Sequence, residues 1–519
     1  MQINITEWLE QAAAAHPGRA AYSDKDSSIE FGTLRRYARS IGTAVAAKSE
    51  PRKPVAVFSG RHILTPAAFL GAAYAGCFYA PIDCKLPAAR IEQILGTLAP
   101  QLLITDRASL DEVKALGFDN ERIIVIEDAI ERPADDAVLA ARLSGANEED
   151  PLYIIFTSGS TGRPKGVITS HHSLMCYLDA YAEVMGIDES DVLGNQSPLD
   201  YIAAVRDIYL PLKCGCSTVI IPKELFMTPA ALFDYMTERK VTAVGWCVSA
   251  LTLPASLGAF EHSAPKYLKK ICFSGSVMPC RYLRMWQLNL PGAKFVNQYG
   301  PTEATASCTY YEVKETVDEG DVIPIGRPYR DYRVFLLNED GAAVPDGEEG
   351  EICVSGPILA LGYYNDPERT AKDFIQNPLN SAYREIIYKT GDIGVMRADG
   401  ELMFKGRRDR QIKHLGHRVE LDEIERAACR TEGVAECCVL YDREKETICL
   451  FYTGTASVRE LSLSLRQTLP GFMIPRKMKQ LEAMPKLPNG KTDMNTLRAS
   501  IAAATIASSS RAMVSIFSL

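Results

Sequence analysis

Short apolar runs of strand length alternate with amphipathic helical stretches, and this alternation restricts the fold more than any other feature. PVAVFSG near residue 54, QLLITD near 101, RIIVIED near 122 and LYIIFTSGS near 152 read as strands. PAARIEQILGTL at 87–98, between the first two, reads as a helix. Strands separated by helices imply α/β architecture with largely parallel pairing. After about residue 320 the texture changes. The turn signals NEDG, PDGEEG, NDPE and ADGE become frequent, and RVFLLN, GEICVSG and ELMFKG between them read as hairpin strands. A second shift comes at Gly406–Arg410, beyond which ELDEIERAACR, ECCVLYD, TICLFYT and VRELSLSLRQTL predict a small helix–strand–strand–helix unit. The expectation is a large N-terminal domain, 1–407, of parallel α/β subdomains plus a β-rich subdomain. A small mobile α+β domain, 408–500, and a tail, 501–519, without turn or charge patterning, follow.

Length and charge narrow the function. A chain of 519 residues exceeds one ordinary core. Net charge is -8, with no long basic run, so nucleic acid is not an expected partner. No stretch approaches the ~18 apolar residues of a membrane span. The N-terminal segment has no apolar core of signal-peptide length. The 14 cysteines form no paired CxxC metal pattern, and reduced thiols in the cytoplasm are the expected state.

The segment Ile155–Gly166, IFTSGSTGRPKG, directly follows a predicted strand. Glycines let backbone N–H groups approach an anion. Ser158, Ser160 and Thr161 can donate to phosphate oxygens, and Lys165 adds positive charge. The loop suits a polyphosphate. It is not a Walker A loop, because proline precedes the lysine and glycine follows it.

This string resembles the phosphate-binding loop of the adenylate-forming superfamily, which includes acyl-CoA synthetases, luciferases and the adenylation domains of nonribosomal peptide synthetases. Further motifs follow in the family's order: Tyr79–Asp83, Asn297–Glu303 (NQYGPTE), Gly350–Pro357, Tyr388–Asp392, Gly406–Glu420, Leu469–Pro475 and Asn489–Lys491. The resemblance implies activation of a carboxylic acid by ATP with Mg²⁺, giving an acyl-adenylate and pyrophosphate. It implies that Thr157, Ser158, Gly159, Ser160, Thr161, Gly162 and Lys165 hold phosphates, and that Asn297, Gln298, Tyr299 and Gly300 line the adenine site. Thr302 would touch the α-phosphate and Glu303 would hold the metal. Asp392 would bind the ribose hydroxyls with help from Arg407. Lys491 would bridge the carboxylate and the α-phosphate, where an ammonium suits developing negative charge. Asp409 would be the hinge, bringing the loop around Lys413 to the site for thiol attack. His171 and His172 read as surface positions at a helix start.

Within the superfamily, GEICVSGPILALGYYNDPERT and GRRDRQIKHLGHRVELDEIE are similar to stand-alone amino-acid adenylation enzymes, including D-alanine–carrier protein ligases. The resemblance assigns the acid pocket to Tyr201, Ile202, Ala203, Arg206, Gly245, Cys272, Ser274, Gln298, Ala306 and Ser307. One departure stands out: Ile202 occupies the position of the aspartate that pairs with a substrate α-ammonium. A buried ammonium without a partner costs several kcal/mol. Either the acid lacks an α-ammonium, or Asp200, two residues earlier on an extended segment, reaches in. Arg206 would bind a second acidic group or a carbonyl on the substrate, or it pairs with Asp200 or Asp207. The acceptor expected is a separate phosphopantetheinyl carrier protein in secondary-metabolite biosynthesis, with coenzyme A as the alternative.

Overall fold

The computed structural model describes residues 3–159, 163–443, 445–487 and 492–501. Among these residues the chain is a mixed α/β protein divided into two compact units. The larger runs from the N-terminus to Lys85, then Ile94–Thr157 and Lys165–Asp409; the smaller contains Leu86–Gln93, Ser158–Pro164 and the chain from Arg410.

Two sheets of the larger unit are mainly parallel. One runs in the order Gly362–Tyr363, Lys165–Ser170, Pro151–Thr157, Phe78–Ile82, Pro54–Phe58, Leu102–Thr105, Ile123–Val125. Its central strands Pro54–Phe58 and Phe78–Ile82 are buried at every position, which explains their unbroken apolar sequences. The neighbouring helix Thr65–Tyr74 is buried along its whole length and correspondingly lacks a polar face. The other sheet runs Arg327–Pro328, Thr309–Glu312, Lys294–Tyr299, Lys270–Ser274, Ala243–Cys247, Val192–Asn195, Ser217–Ile220, Ala20–Ser23, Ser28–Glu30. Its strands from Lys294–Tyr299 to Ala20–Ser23 pair in parallel. A third, antiparallel sheet contains Arg333–Leu337, Glu349–Ser355, Ile386–Met396, Phe374–Gln376 and Leu402–Arg407. The hairpin texture after residue 320 predicts this sheet.

The smaller unit has its own core, in which Val419, Ile424, Val439, Leu450, Leu461 and Leu465 pack together. Helices Leu421–Cys429 and Val458–Thr468 accompany strands Val434–Asp442, Thr447–Gly454 and Lys477–Gln480. Ser457 and Glu460 close a reciprocal capping box at the second helix.

Two local expectations are corrected. RIIVIED is a strand only over Ile123–Val125, after which Ile126–Ala129 turns into a short helix. His171 starts the helix His171–Met185, but it is buried, and its Nδ1 accepts the Ile5 N–H at 3.2 Å. Burial pushes the imidazole pKa down to about 4. Among the described residues, no helix is long and apolar enough to cross a membrane.

Candidate active site

The phosphate loop joins two antiparallel strands, with Thr157 opposite Lys165. A Walker loop opens a helix; this loop returns into the sheet. Gly166 is required by the return, since a Cβ there would lie 2.7 Å from Ile154 Cγ2 on the facing strand. Lys165 is buried and donates to Glu303 Oε1 at 2.6 Å, while Tyr363 Oη donates to the same oxygen at 2.8 Å. Tyr363 Oη also accepts from Lys165 Nζ at 3.2 Å. The Thr157 hydroxyl is buried and has no hydrogen-bond partner among the described residues. An unsatisfied buried hydroxyl is costly, and an acceptor such as a phosphate oxygen would satisfy it. Ser158 and Gly159 belong to the segment grouped with the smaller unit. Ser160, Thr161, Gly162 and Lys491 lie outside the described residues.

Side-chain alternation along the strand Lys294–Tyr299 separates two sets of groups. Asn297 donates to Pro324 O at 2.7 Å, and Tyr299 Oη donates to Asp392. Asp392 is held in turn by Arg407, whose guanidinium also grips Asp409 through Nε at 2.7 Å and Nη2 at 2.9 Å. Gln298 faces the other way: its Oε1 accepts from Arg206 and Ser307, and its Nε2 donates to Tyr329 Oη. The structure therefore groups Gln298 with Arg206 and Ser307, apart from Asn297 and Tyr299. Gly300 follows where two backbone segments nearly touch, since a Cβ would lie 2.5 Å from Ser307 Cα. Thr302 and Glu303 come next in a short 3-10 turn, and both are buried.

Strand register brings together the residues expected to form the acid pocket. Gly245 pairs with Cys272, and Ser274 with Gln298. Arg206, on the helix Ala204–Cys214, extends into this group. Its Nε donates to Ala203 O at 3.3 Å, Nη1 to Gln298 Oε1 at 3.1 Å and Cys272 Sγ at 3.6 Å, and Nη2 to Gly245 O at 3.1 Å. The guanidinium lies 5.4 Å from the Tyr181 ring centroid. Gly245 leaves room for it, because a Cβ there would sit 3.2 Å from the guanidinium carbon. Ala306 completes the wall with a backbone φ of 75°, a left-handed conformation rare for alanine.

Three expectations about this pocket change. Arg206 forms no ion pair with Asp200 or Asp207 among the described residues; Asp207 instead accepts from Asn195 Nδ2 at 2.7 Å. Asp200 lines a separate small cavity with Asp83 and Lys223. Burial and the nearby Asp83 push the Asp200 carboxyl up to about 7. Residues 199–203 form turns leading into the helix, so the extended geometry that would place Asp200 and Ile202 on one face is absent. Ile202 and Ala203 are buried there and Tyr201 is half-buried.

Lys413 lies on the hairpin Gln411–His414/His417–Glu420, whose two-residue turn, Leu415–Gly416, has φ of 52° and 83°. The contributions of Tyr363, Tyr177 and Tyr181 escape sequence reasoning, because a tyrosine that packs and one that donates look alike in the sequence. The doubled tyrosine in GYYNDPERT is the one available signal.

Comparison with known proteins agrees with this geometry. The family model described as AMP-binding enzyme matches residues 9–364, and that of the AMP-binding enzyme C-terminal domain matches 423–491. D-alanine–D-alanyl carrier protein ligase of Bacillus anthracis is 30% identical over 516 residues, covering 96% of this chain and 100% of the relative. Tyrocidine synthase 1 of Brevibacillus parabrevis is 30% identical over 504 residues, covering 95% of this chain; this chain spans only 45% of that synthase, less than half its length. Among solved structures, holo-PA1221, a nonribosomal peptide synthetase protein containing adenylation and PCP domains, aligns with a TM-score of 0.80 at 25% identity, covering 95% of this chain and 84% of that one. A phosphate loop that returns into a sheet, a buried lysine–glutamate pair and an Asp392–Arg407 clasp thus occur in a chain matched along most of its length, and the protein belongs to the AMP-binding, adenylate-forming superfamily as an adenylate-forming ligase.

Proposed function

We propose that the protein activates a small carboxylic acid lacking an α-ammonium, and then passes the acyl group to the phosphopantetheine thiol of a separate carrier protein. The observation that carries this reading is the two-sided strand Lys294–Tyr299. Tyr299 reaches Asp392 of the Asp392–Arg407 clasp and Asn297, on the same face of the strand, bonds Pro324 O, while Gln298 faces the Arg206 group. Nucleotide and acid would be held on opposite sides of one backbone segment, next to Thr302 and Glu303. Such positioning supplies much of the rate when two anions must meet in line.

In the first step a carboxylate oxygen bonds to the α-phosphorus of ATP, and the bond from that phosphorus to the bridging oxygen breaks, releasing pyrophosphate. Lys165 and the Thr157 hydroxyl would meet phosphate oxygens, and Asp392 would accept from the ribose hydroxyls. Lys491 would carry the positive charge assigned to it by family resemblance. Among the described residues, no group of three or more His, Cys, Asp or Glu side chains is placed to hold a metal unaided. Mg²⁺ does not require one, because one carboxylate plus phosphate oxygens and water complete its shell. Buried Glu303, 2.6 Å from Lys165, is the carboxylate that would take that single-carboxylate role. Bound there, Mg²⁺ would neutralise phosphate charge. In the second step the thiol sulfur bonds to the acyl carbon, AMP leaves, and the thiol proton passes to solvent.

The absence of an α-ammonium rests on buried Ile202 and on Asp200 facing another cavity. Transfer in trans is supported by the carrier protein ligases that this chain matches over their full length. Acid-dependent exchange of pyrophosphate into ATP tests the first step; no exchange with any acid in a broad panel refutes it. Thiol transfer tests the second: turnover with free coenzyme A and none with carrier proteins replaces the carrier reading by a coenzyme A ligase.

A further inference from the structure

The acid pocket contains a permanent buried charge whose direct partners are all neutral. Arg206 is only 1% exposed. Its acceptors are two backbone carbonyls, an amide oxygen and a thiol, and no carboxylate lies within ion-pair distance among the described residues. A guanidinium does not neutralise itself by losing a proton. Buried charges are ordinarily paired; here the Asp207 carboxylate acts on the guanidinium through space only, its hydrogen bond going to Asn195. The Cys272 contact, at 3.6 Å, is the weakest and most easily displaced. Beside the guanidinium lies the Tyr177 hydroxyl, fully buried and near Arg206 and Ser307, yet without a hydrogen bond of good geometry among the described residues. A cation with replaceable neutral acceptors and an orphaned hydroxyl donor thus converge in one pocket. An oxyanion answers both, with two oxygens for the guanidinium fork and the second lone pairs for the phenol.

We propose that Arg206 and Tyr177 form an anion-binding floor to the acid pocket, so that the substrate is a dicarboxylic acid: one carboxylate reacts with ATP and the other is held by Arg206. This rests on the adenylate-forming reading above and names its substrate class. It also accounts for Ile202. With no cation to meet at that position, an apolar residue there costs nothing, and a carboxylate would repel a diacid.

The test is acid-dependent pyrophosphate exchange on the full-length protein with matched pairs: succinate against butanoate, glutarate against pentanoate, and 2-oxoglutarate against 2-oxopentanoate. The wild-type protein is expected to prefer the diacid in kcat/KM by about 100-fold, the scale on which buried charge pairs discriminate. Arg206→Met should abolish that preference, and Tyr177→Phe should reduce it severalfold, both with unchanged KM for ATP. Exchange confined to the monocarboxylic acids overturns the proposal and leaves the adenylate-forming reading standing. So does an Arg206→Met protein that keeps the diacid preference. If Arg206→Met fails to fold, the wild-type pairs and Tyr177→Phe decide alone. Exchange with no acid at all overturns the underlying reading, and this proposal with it.

Discussion

The Lys165–Glu303 pair is the most exacting structural element of the site. The ammonium and carboxylate are 4% and 0% exposed and lie 2.6 Å apart. At an effective dielectric of about 20 their attraction is about 6 kcal/mol. Desolvation of both ions offsets most of that, so the intact pair adds little net stability. Removing one partner is a different matter, because a buried charge remains. Lys165→Met and Glu303→Leu should each destabilise the ligand-free protein by about 3–5 kcal/mol, and the double variant by much less than the sum. For a unit of this size that is a drop in Tm on the order of 5 °C for each single variant. Differential scanning fluorimetry on the four proteins without nucleotide measures the cycle. The result that refutes the reasoning is additivity: if the double variant loses as much as the two singles together, the groups are not paired. Exchange activity would fall in all three variants, so the stability cycle is the informative readout.

Three further outcomes follow from other contacts. Arg407→Met removes the charged hydrogen bond that orients Asp392; about 1.5–3 kcal/mol should appear as a roughly tenfold to hundredfold higher KM for ATP, with a smaller change in the KM of the acid. Gly300→Ala places a methyl against the Ser307 backbone and should cost about 1–3 kcal/mol by overpacking, read as a lower Tm and weaker nucleotide binding. His171 has a folded-state pKa lowered to about 4 from 6.5, so the unfolded chain binds the extra proton between those values. Its contribution is intact above pH 6.5 and fades as pH falls toward 4, by about 3 kcal/mol in all. His171→Gln, which keeps an acceptor for the Ile5 N–H, should show a flatter decline of Tm between pH 7 and pH 5; equal declines would contradict the buried neutral imidazole.

Much of this architecture is legible in the sequence because it follows from periodicity. The strand Pro54–Phe58 is apolar at every position and buried at every position, and the hairpin texture after residue 320 becomes the antiparallel sheet. The motif residues Lys165, Glu303, Asp392 and Arg407 are recognised by resemblance, and the structure adds their pairing. Relations that depend on side-chain direction are not legible. Gln298 sits between Asn297 and Tyr299 in sequence, yet the strand's alternation turns it to Arg206. Asp200 is two residues from Ile202, and a turn sends it elsewhere. His171 looks like a helix-start surface residue, but the N-terminal segment folds over it through the Ile5 N–H. No local pattern encodes such long-range coverage.

A carboxylate oxygen that attacks the α-phosphorus of ATP stays with that phosphorus when the acyl group leaves. The direct measurement uses the best acid from the exchange panel, labelled with ¹⁸O in its carboxyl group, with ATP and an acceptor thiol, followed by mass spectrometry of the phosphorus products. One ¹⁸O atom is expected in AMP and none in pyrophosphate. Label in orthophosphate, or AMP that carries no label, would contradict it.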